Sequence, residues 1–321
     1  MGKEINEIVE IDGHILKLSN LDKVFWPQEQ ITKAHVIKYY LDMAPLILPI
    51  IKNRPLVMKR YPNGIFGDFF YQKECPAYAP EWVETFPVRH SHKIINYLVC
   101  NNTATLIWMA NQGCLEIHGW LSRLEHIDSP DFAVIDLDPA EGATFNDVLK
   151  VALIVREALE SFKIKGFPKT SGSAGLHIFI PLSSGYNFED ITEAVKYLAQ
   201  ILVNAYPDGV TIERVKAKRT GKVYLDYLQN GRGKTMAFPY SIRPRPGAPV
   251  SMPVSWEEIK QMDIEAGEFS LVNARSRVDV NKKFIKEILE EKQSIDELLS
   301  LCPTELAGGS RKGNYLDMQL S

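Results

Sequence analysis

FAVIDLDP, residues 132–139, is the most legible stretch of the chain. Its apolar, β-favouring residues lead into Asp136 and Asp138, and Pro139, which has no N–H to donate, ends the run. Side chains alternate between the faces of a strand, so Asp136 and Asp138 point the same way while Leu137 turns into the core. Two carboxylates at that spacing repel unless a cation lies between them, and hard oxygen donors suit Mg²⁺ or Mn²⁺ rather than zinc. On this motif alone, a strand-end turn with solvated acids explains the residues equally well.

Working outward, the apolar periodicity predicts a helix from about Phe145 to Phe162, then a strand FPKT, the turn SGSAG at 171–175 and a strand LHIFI. Asn187 with Asp190 signals a capped helix through Tyr206, and VTIE, KVYLDY and TMAF read as further strands. Upstream, Thr32 caps an amphipathic helix from Lys33 to Ile51 and PLVMKR at 55–60 reads as a strand. Asn101 or Asn102 caps a helix that stops at Gly113, before the strand CLEIH. Downstream, PRPGAPVSMP is a stiff turn region, Ser255 and Glu258 form a capping box, residues 279–301 look helical, and AGGSRKGN looks loose.

Strands mixed with long helices, without a repeat or a low-complexity linker, predict a two-lobed α+β fold with mixed or antiparallel central sheets flanked by helices. The expected layout is a single unit over 1–321: an N-terminal lobe to about residue 60, a core to about 260, and C-terminal helices with a tail. No run approaches the roughly 18 uncharged apolar residues of a membrane span, and the acidic start does not resemble a signal peptide. A cytoplasmic, nucleoid-associated protein without a membrane partner is expected. The four scattered cysteines, with no CxxC pair, argue against disulfides and structural zinc.

The net charge of −3 hides an uneven distribution. From Arg214 to Arg245 nine basic residues face one acid, Asp226, so this segment carries +8 and the remainder −11. Such polarity suits phosphate binding, although a solvated basic face would give the same numbers. Asp226, an acid in a strand-like apolar context amid nine cations, is the candidate third carboxylate beside Asp136 and Asp138.

The turn SGSAG, with Ser171 and Gly172, can form a backbone nest for phosphate oxygens, and His177 just after it is a possible cationic donor. It is not a Walker loop, because GxxxxGK[ST] is absent and a strand follows the glycines. His118 ends the strand CLEIH, and Arg123 follows in GWLSR. Arg243, or equally Arg245, is held by prolines and suits bidentate phosphate contact. Lys59 and Arg60 close a strand before Phe69 and Phe70; a basic and aromatic group can hold a backbone and stack a base, though a Phe pair is more often core.

Taken in order, KRYPNG, FFYQK, AYAPEW, HGWLSR, VIDLDP, KTSGSAGLH, KAKRTGKVYLDYLQN, RGKT, PYSIRPRPGAPVS and WEE resemble the polymerase domain of bacterial DNA ligase D, over about residues 15–260. That family belongs to the archaeo-eukaryotic primase superfamily. The resemblance implies that Asp136, Asp138 and Asp226 form a catalytic metal triad. It also implies that Lys59, His118, Ser171, Gly172, His177, Gln229 and Arg243 surround the incoming nucleotide. Lys23 and Lys33 would match a site for the downstream 5′-phosphate, with Arg219 assisting, and Phe69 and Phe70 would stack near the template.

What the resemblance implies for function is templated gap filling and 3′-end extension in non-homologous end joining. The substrates would be NTPs or dNTPs with a preference for ribonucleotides, the cofactor Mn²⁺ or Mg²⁺ in a two-metal site, and the partners gapped or broken DNA, Ku and a separate ligase. Two departures stand out: Ala174 occupies a position where many relatives carry a lysine, and no KxDG ligase motif is present, so a free-standing polymerase module is expected. The alternatives are a primase that initiates chains de novo, a non-catalytic end-bridging protein and, last, a metal phosphohydrolase.

Overall fold

The computed structural model describes residues 5–303. Strands β1 (Glu7–Ile11) and β2 (His14–Leu18) form a hairpin whose turn residues Asp12 and Gly13 both have positive φ, 51° and 77°, the conformation that Asp-Gly favours in two-residue loops. A second ladder, β3 (Val24–Trp26) with β4 (Ile31–Thr32), leads directly into helix α1 (Lys33–Ile51). There the His35 ring accepts the Thr32 amide at 3.0 Å.

By length and composition α1 could cross a membrane, which corrects the expectation that no segment qualifies. More than half of it is buried inside the protein, and it packs on both the helix Thr103–Asn111 and the helix Val278–Glu290 near the C-terminus. A helix enclosed on several sides reads as apolar all round.

The chain next builds five strands of a six-stranded antiparallel sheet: β5 (Leu56–Arg60), β6 (Phe70–Gln72), β7 (Thr85–Arg89), β8 (Ile94–Leu98) and, after helix α2 (Thr103–Asn111), β9 (Cys114–Gly119). Asn102 is the residue that caps α2, accepting the Thr105 amide at 2.8 Å. β5 lies at the centre, between β9 and the pair β8–β7, with β6 alongside its C-terminal half.

β10 (Phe132–Pro139) starts the second sheet, followed by α3 (Phe145–Ser161), β11 (Phe167–Thr170), β12 (Leu176–Pro181), α4 (Phe188–Ala205), β13 (Val210–Thr211) and β14 (Val223–Leu225). The order is β11-β12-β10-β14-β13, antiparallel except for the last pair. This is the mixed sheet expected to carry the aspartates. Ile135 and Leu137 are fully buried, and α3 and α4 pack on β10. β14 is shorter than the KVYLDY run suggests, because Asp226 turns the chain into a 3-10 segment, Tyr227–Asn230. β15 (Met236–Ala237) then crosses to the six-stranded sheet and pairs with β9.

After α5 (Trp256–Gln261) the region expected to be one helix is two, α6 (Val278–Glu290) and α7 (Asp296–Ser300). The break is made by Gln293. Its carbonyl accepts the Ser183 amide at 2.8 Å, and its side chain bonds the Lys165 N–H and carbonyl at 2.6 and 3.0 Å. These bonds require extended backbone there. The stretch AGGSRKGN lies outside the described residues.

Candidate active site

A cavity of about 420 Å³ opens where the two sheets face each other. Tyr71 and His118 line it from the six-stranded sheet, and Asp136, Asp138 and His177 from the five-stranded one. Ser171, Ser173, Gln229, Arg243 and Arg245 complete the wall from the connecting loops. A larger cavity of about 630 Å³ between α3, α5 and α6 is lined by Phe167, Trp256 and Phe284 and holds none of these groups. The smaller cavity is where the chemistry converges.

Alternation along β10 puts Asp136 and Asp138 on one face, as the sequence requires. Burial, with the charge of Asp226 adding to it, pushes the Asp136 carboxyl up to about 7. Asp138 sits at the open mouth of the cavity, so its desolvation is that of a walled recess rather than a closed core. Together with the neighbouring Asp136, that desolvation raises Asp138 to about 6. Oδ1 of Asp136 is buried without a hydrogen-bond donor. Asp226 is close, its amide donating to the Asp136 carbonyl at 3.0 Å. Its own carboxylate, however, accepts Leu228 N–H and Gln229 Nε2, each at 3.1 Å. Among the described residues, therefore, no three acids, histidines or cysteines close on one metal position.

His177 stands opposite Asp136 in the β10–β12 register, and Lys169 stands opposite His177 in the next. Lys169 Nζ lies 2.8 Å from His177 Nδ1 and also bonds the Ser251 hydroxyl. Burial, with Lys169 and Arg243 reinforcing it, holds the His177 ring well below its ordinary pKa. His177 is thus a neutral ring rather than the cationic donor its position suggested.

The SGSAG turn also differs from the expected nest. Ser171 Oγ accepts the amides of Ser173 and Gly175 at 3.1 and 3.0 Å, so those N–H groups are already used. Gly172 has φ +70°, and a Cβ there would come within 2.6 Å of the Arg243 side chain. A Cβ on Gly175 would lie 2.2 Å from the Leu137 carbonyl. The glycines let the turn press against β10 and against Arg243.

Opposite the acids, Lys59 and Glu116 are cross-strand partners on β5 and β9, with Nζ and Oε1 2.5 Å apart. Glu116 Oε2 also lies 3.2 Å from both His118 Nε2 and Arg243 Nε. Burial alone would raise Glu116, but the His118 hydrogen bond, the charge of Arg243 and the Lys59 hydrogen bond bring it down to about 2.

The remaining candidates are spread out. Lys33 is buried, with Nζ on the Ser19 carbonyl at 2.6 Å, and its burial beside Lys23 and Arg60 lowers its pKa to about 8. Lys23 Nζ donates to Asn63 at 2.7 Å. Phe69 and Phe70 are 53% and 45% exposed, so they are not the core pair that composition favours. Phe69 covers Lys59 at 4.7 Å and Phe70 covers Arg60 at 5.2 Å. Arg219 stacks on Tyr224 at 3.4 Å and bonds the Glu213 and Arg214 carbonyls. Arg123 does not approach the cavity. It pairs with Asp131 at 2.8 Å, on the carboxylate that also holds the fully buried Arg54.

The family model of the LigD primase-polymerase domain matches residues 32–284. The chain belongs to the LigD primase-polymerase family. It is accordingly a DNA-directed nucleotidyltransferase by family. It is 36% identical over 259 residues to the multifunctional non-homologous end joining protein LigD of Mycolicibacterium smegmatis, covering 80% of this chain and 34% of that one. To the bifunctional LigD of Bacillus subtilis it is 35% identical over 246 residues, 76% and 39% of the two chains. The chain thus spans little more than a third of the length of these relatives. The polymerase domain of Mycobacterium tuberculosis ligase D, solved in complex with DNA, superimposes with a TM-score of 0.75 at 30% identity, covering 90% of this chain and 99% of that one.

Within this LigD-type domain two buried groups escaped the sequence reading. Lys169 sits in FPKT, which reads as an ordinary strand, and Glu116 sits in CLEIH, where alternation leaves its facing undecided. The one available signal was register: a charged residue between apolar neighbours on a central strand needs a partner across the ladder.

Proposed function

We propose that this domain fills gaps and extends 3′ ends on templated DNA during non-homologous end joining, favouring ribonucleotides. The observation that carries the reading is the pair Asp136 and Asp138 sharing one cavity with His118 and Arg243, which Glu116 links to Lys59 behind them. The names of the LigD relatives support the end-joining context, and Ku and a separate ligase are the partners it predicts.

The acids fit a divalent cation. Asp136 Oδ1 is buried without a donor, and two hard carboxylates this close repel each other until positive charge lies between them. Asp136 and Asp138 would hold Mn²⁺ or Mg²⁺, and Asp226 would join them only by releasing the Leu228 amide and Gln229. When bound, such a metal pair lowers the pKa of the attacking 3′-hydroxyl and steadies the triphosphate. The chain's own contribution is positional: Arg243 and Lys59 attract the anionic phosphates, His177 supplies an uncharged polar edge beside Asp136, and Gln229 orients Asp226.

Purified protein is expected to extend a primer across a 5′-phosphorylated gap with Mn²⁺, faster with NTPs than dNTPs. No extension with either nucleotide set in Mn²⁺ or Mg²⁺ would overturn the proposal. Efficient extension with dNTPs in preference to NTPs would overturn the sugar preference alone. Dinucleotide synthesis on unprimed single strands would move the reading to a primase.

A further inference from the structure

An acid beside a triphosphate site is unfavourable unless it does something for that site. Glu116 is almost fully buried on β9, on the same strand face as His118 two residues on and directly across from Lys59. Its two oxygens are divided between three basic groups from three parts of the chain. Oε1 lies 2.5 Å from Lys59 of β5, and Oε2 lies 3.2 Å from both His118 of β9 and Arg243 of the proline-rich segment.

Each of these basic side chains is long or rotatable, and two come from segments that the fold brings together only in tertiary structure. Lys59 is further packed by the rings of Tyr61, Phe69 and Tyr71 at 5.5, 4.7 and 5.4 Å. Without a common anchor, the Lys59 and Arg243 cations would repel each other and turn toward solvent. A cluster of three basic groups around one acid stays net positive, so it can still attract an anion while its geometry is fixed before the anion arrives.

We infer that Glu116 is a positioning residue that gathers Lys59, His118 and Arg243 into a prearranged receptor for the triphosphate of the incoming nucleotide. The inference rests on the reading of the cavity as a nucleotidyl-transfer site. The carboxylate contacts no substrate itself. It acts through the three basic groups.

The competing explanation is that Glu116 only neutralises buried charge. The two explanations differ in the sign of one measurement. Glu116→Gln removes a negative charge next to the phosphates, so simple electrostatics makes ATP bind more tightly, whereas loss of positioning makes it bind more weakly. Binding of ATP and of AMP to the full chain by calorimetry, for wild type, Glu116→Gln and Glu116→Asp, reads this directly.

The expected result is ATP affinity lower by on the order of tenfold in Glu116→Gln, the size of one lost charge-assisted contact, with AMP affinity changed far less. Glu116→Asp, whose shorter arm keeps the charge but reaches fewer partners, should fall between. Steady-state extension should place the loss mainly in KM. Unchanged or tighter ATP binding in Glu116→Gln, or an equal loss for ATP and AMP, overturns the inference.

Should Glu116→Gln not fold, the pair Lys59→Gln/Glu116→Gln, which removes one charge of each sign, is compared with Lys59→Gln. Weaker ATP binding in the pair supports positioning of His118 and Arg243, and equal or tighter binding overturns it. A wild type that binds no nucleotide sinks the functional reading instead, so the two failures are distinguishable.

Discussion

Lys169 and His177 are bonded through Nζ and Nδ1 at 2.8 Å, one strand behind the aspartates. With Lys169 donating to Nδ1, the neutral ring carries its proton on Nε2, which lies 3.2 Å from Asp136 Oδ1 without a hydrogen bond between them. A buried amine that touches no solvent thereby sets the tautomer of a ring that lines the cavity. The row Lys169, His177, Asp136 crosses three strands in register.

Lys169→Met should therefore separate activity from stability. The change relieves the desolvation of a buried amine but leaves His177 Nδ1 without its partner, so a stability loss of no more than about 1–3 kcal/mol is expected, with the fold retained. Extension activity should drop by about 10- to 100-fold, the usual cost of losing a group that orients a site residue. Thermal melting and kcat/KM on the same preparation check this, and a variant with full activity would show that His177 needs no orienting partner.

The pH response of the Asp136 and Asp138 pair has a definite sign. An unfolded aspartate titrates near 3.8, while these carboxyls are raised to about 7 and about 6 in the fold. Between those limits the native state holds more protons, so metal-free stability falls as pH rises through the window. The melting temperature without divalent ions should be lower at ~pH 8 than at ~pH 5, and Asp136→Asn should flatten that slope. Mn²⁺ should raise the melting temperature more at the higher pH, where the acids are already ionised. A metal effect that is larger at the acid end would contradict this.

Phe69 and Phe70 make a prediction about binding without folding. Both rings are exposed, so alanine at either position should change stability by less than about 0.5 kcal/mol. If they stack bases, affinity for DNA with an unpaired overhang should fall by about 1–3 kcal/mol per ring removed. Fluorescence anisotropy on blunt and overhanging duplexes separates the cases; equal losses on both would point away from stacking.

The Lys23 and Lys33 pair predicts a dependence on the end group. Burial, with the nearby charges of Lys23 and Arg60 adding to it, lowers the Lys33 pKa, and a phosphate drawn to this group of cations would relieve their mutual repulsion. Wild type should prefer a 5′-phosphorylated gap over a 5′-hydroxyl gap by on the order of tenfold, and Lys23→Met/Lys33→Met should erase that preference. Loss of affinity for both gaps alike would make these lysines general DNA contacts.

Gly175→Ala should be among the most damaging small substitutions. The added carbon would meet the Leu137 carbonyl at 2.2 Å and Asp138 Oδ1 at 2.9 Å, so either the turn or β10 must move. A destabilisation of about 1–3 kcal/mol is expected for forced overpacking, accompanied by loss of extension. Chemical denaturation and the extension assay together check it, and a fully stable, active variant would mean that the turn has slack.

What could be read from the chain follows a physical rule. Helices α3 and α4 were legible because periodicity and capping are local: Thr144 with Asp147, and Asn187 with Asp190, satisfy the first-turn amides within four residues. Asp136 and Asp138 were legible because alternation is local too. Lys169 and Glu116 were not, since each gets its role from partners that only strand pairing supplies. The Phe69–Phe70 pair went the other way, as nothing local tells a surface ring from a core one. The end of α6 at Glu290 was equally hidden, being set by Gln293 bonding to Lys165, far away in sequence.

The cavity lies on a seam: its acids hang from one sheet, His118 from the other, and Arg243 and Arg245 from a loop far along the chain. A chain that has folded only one of those sheets owns no complete reaction centre. Turnover, once measured, would therefore double as a certificate of finished folding, because it requires both sheets to be in place.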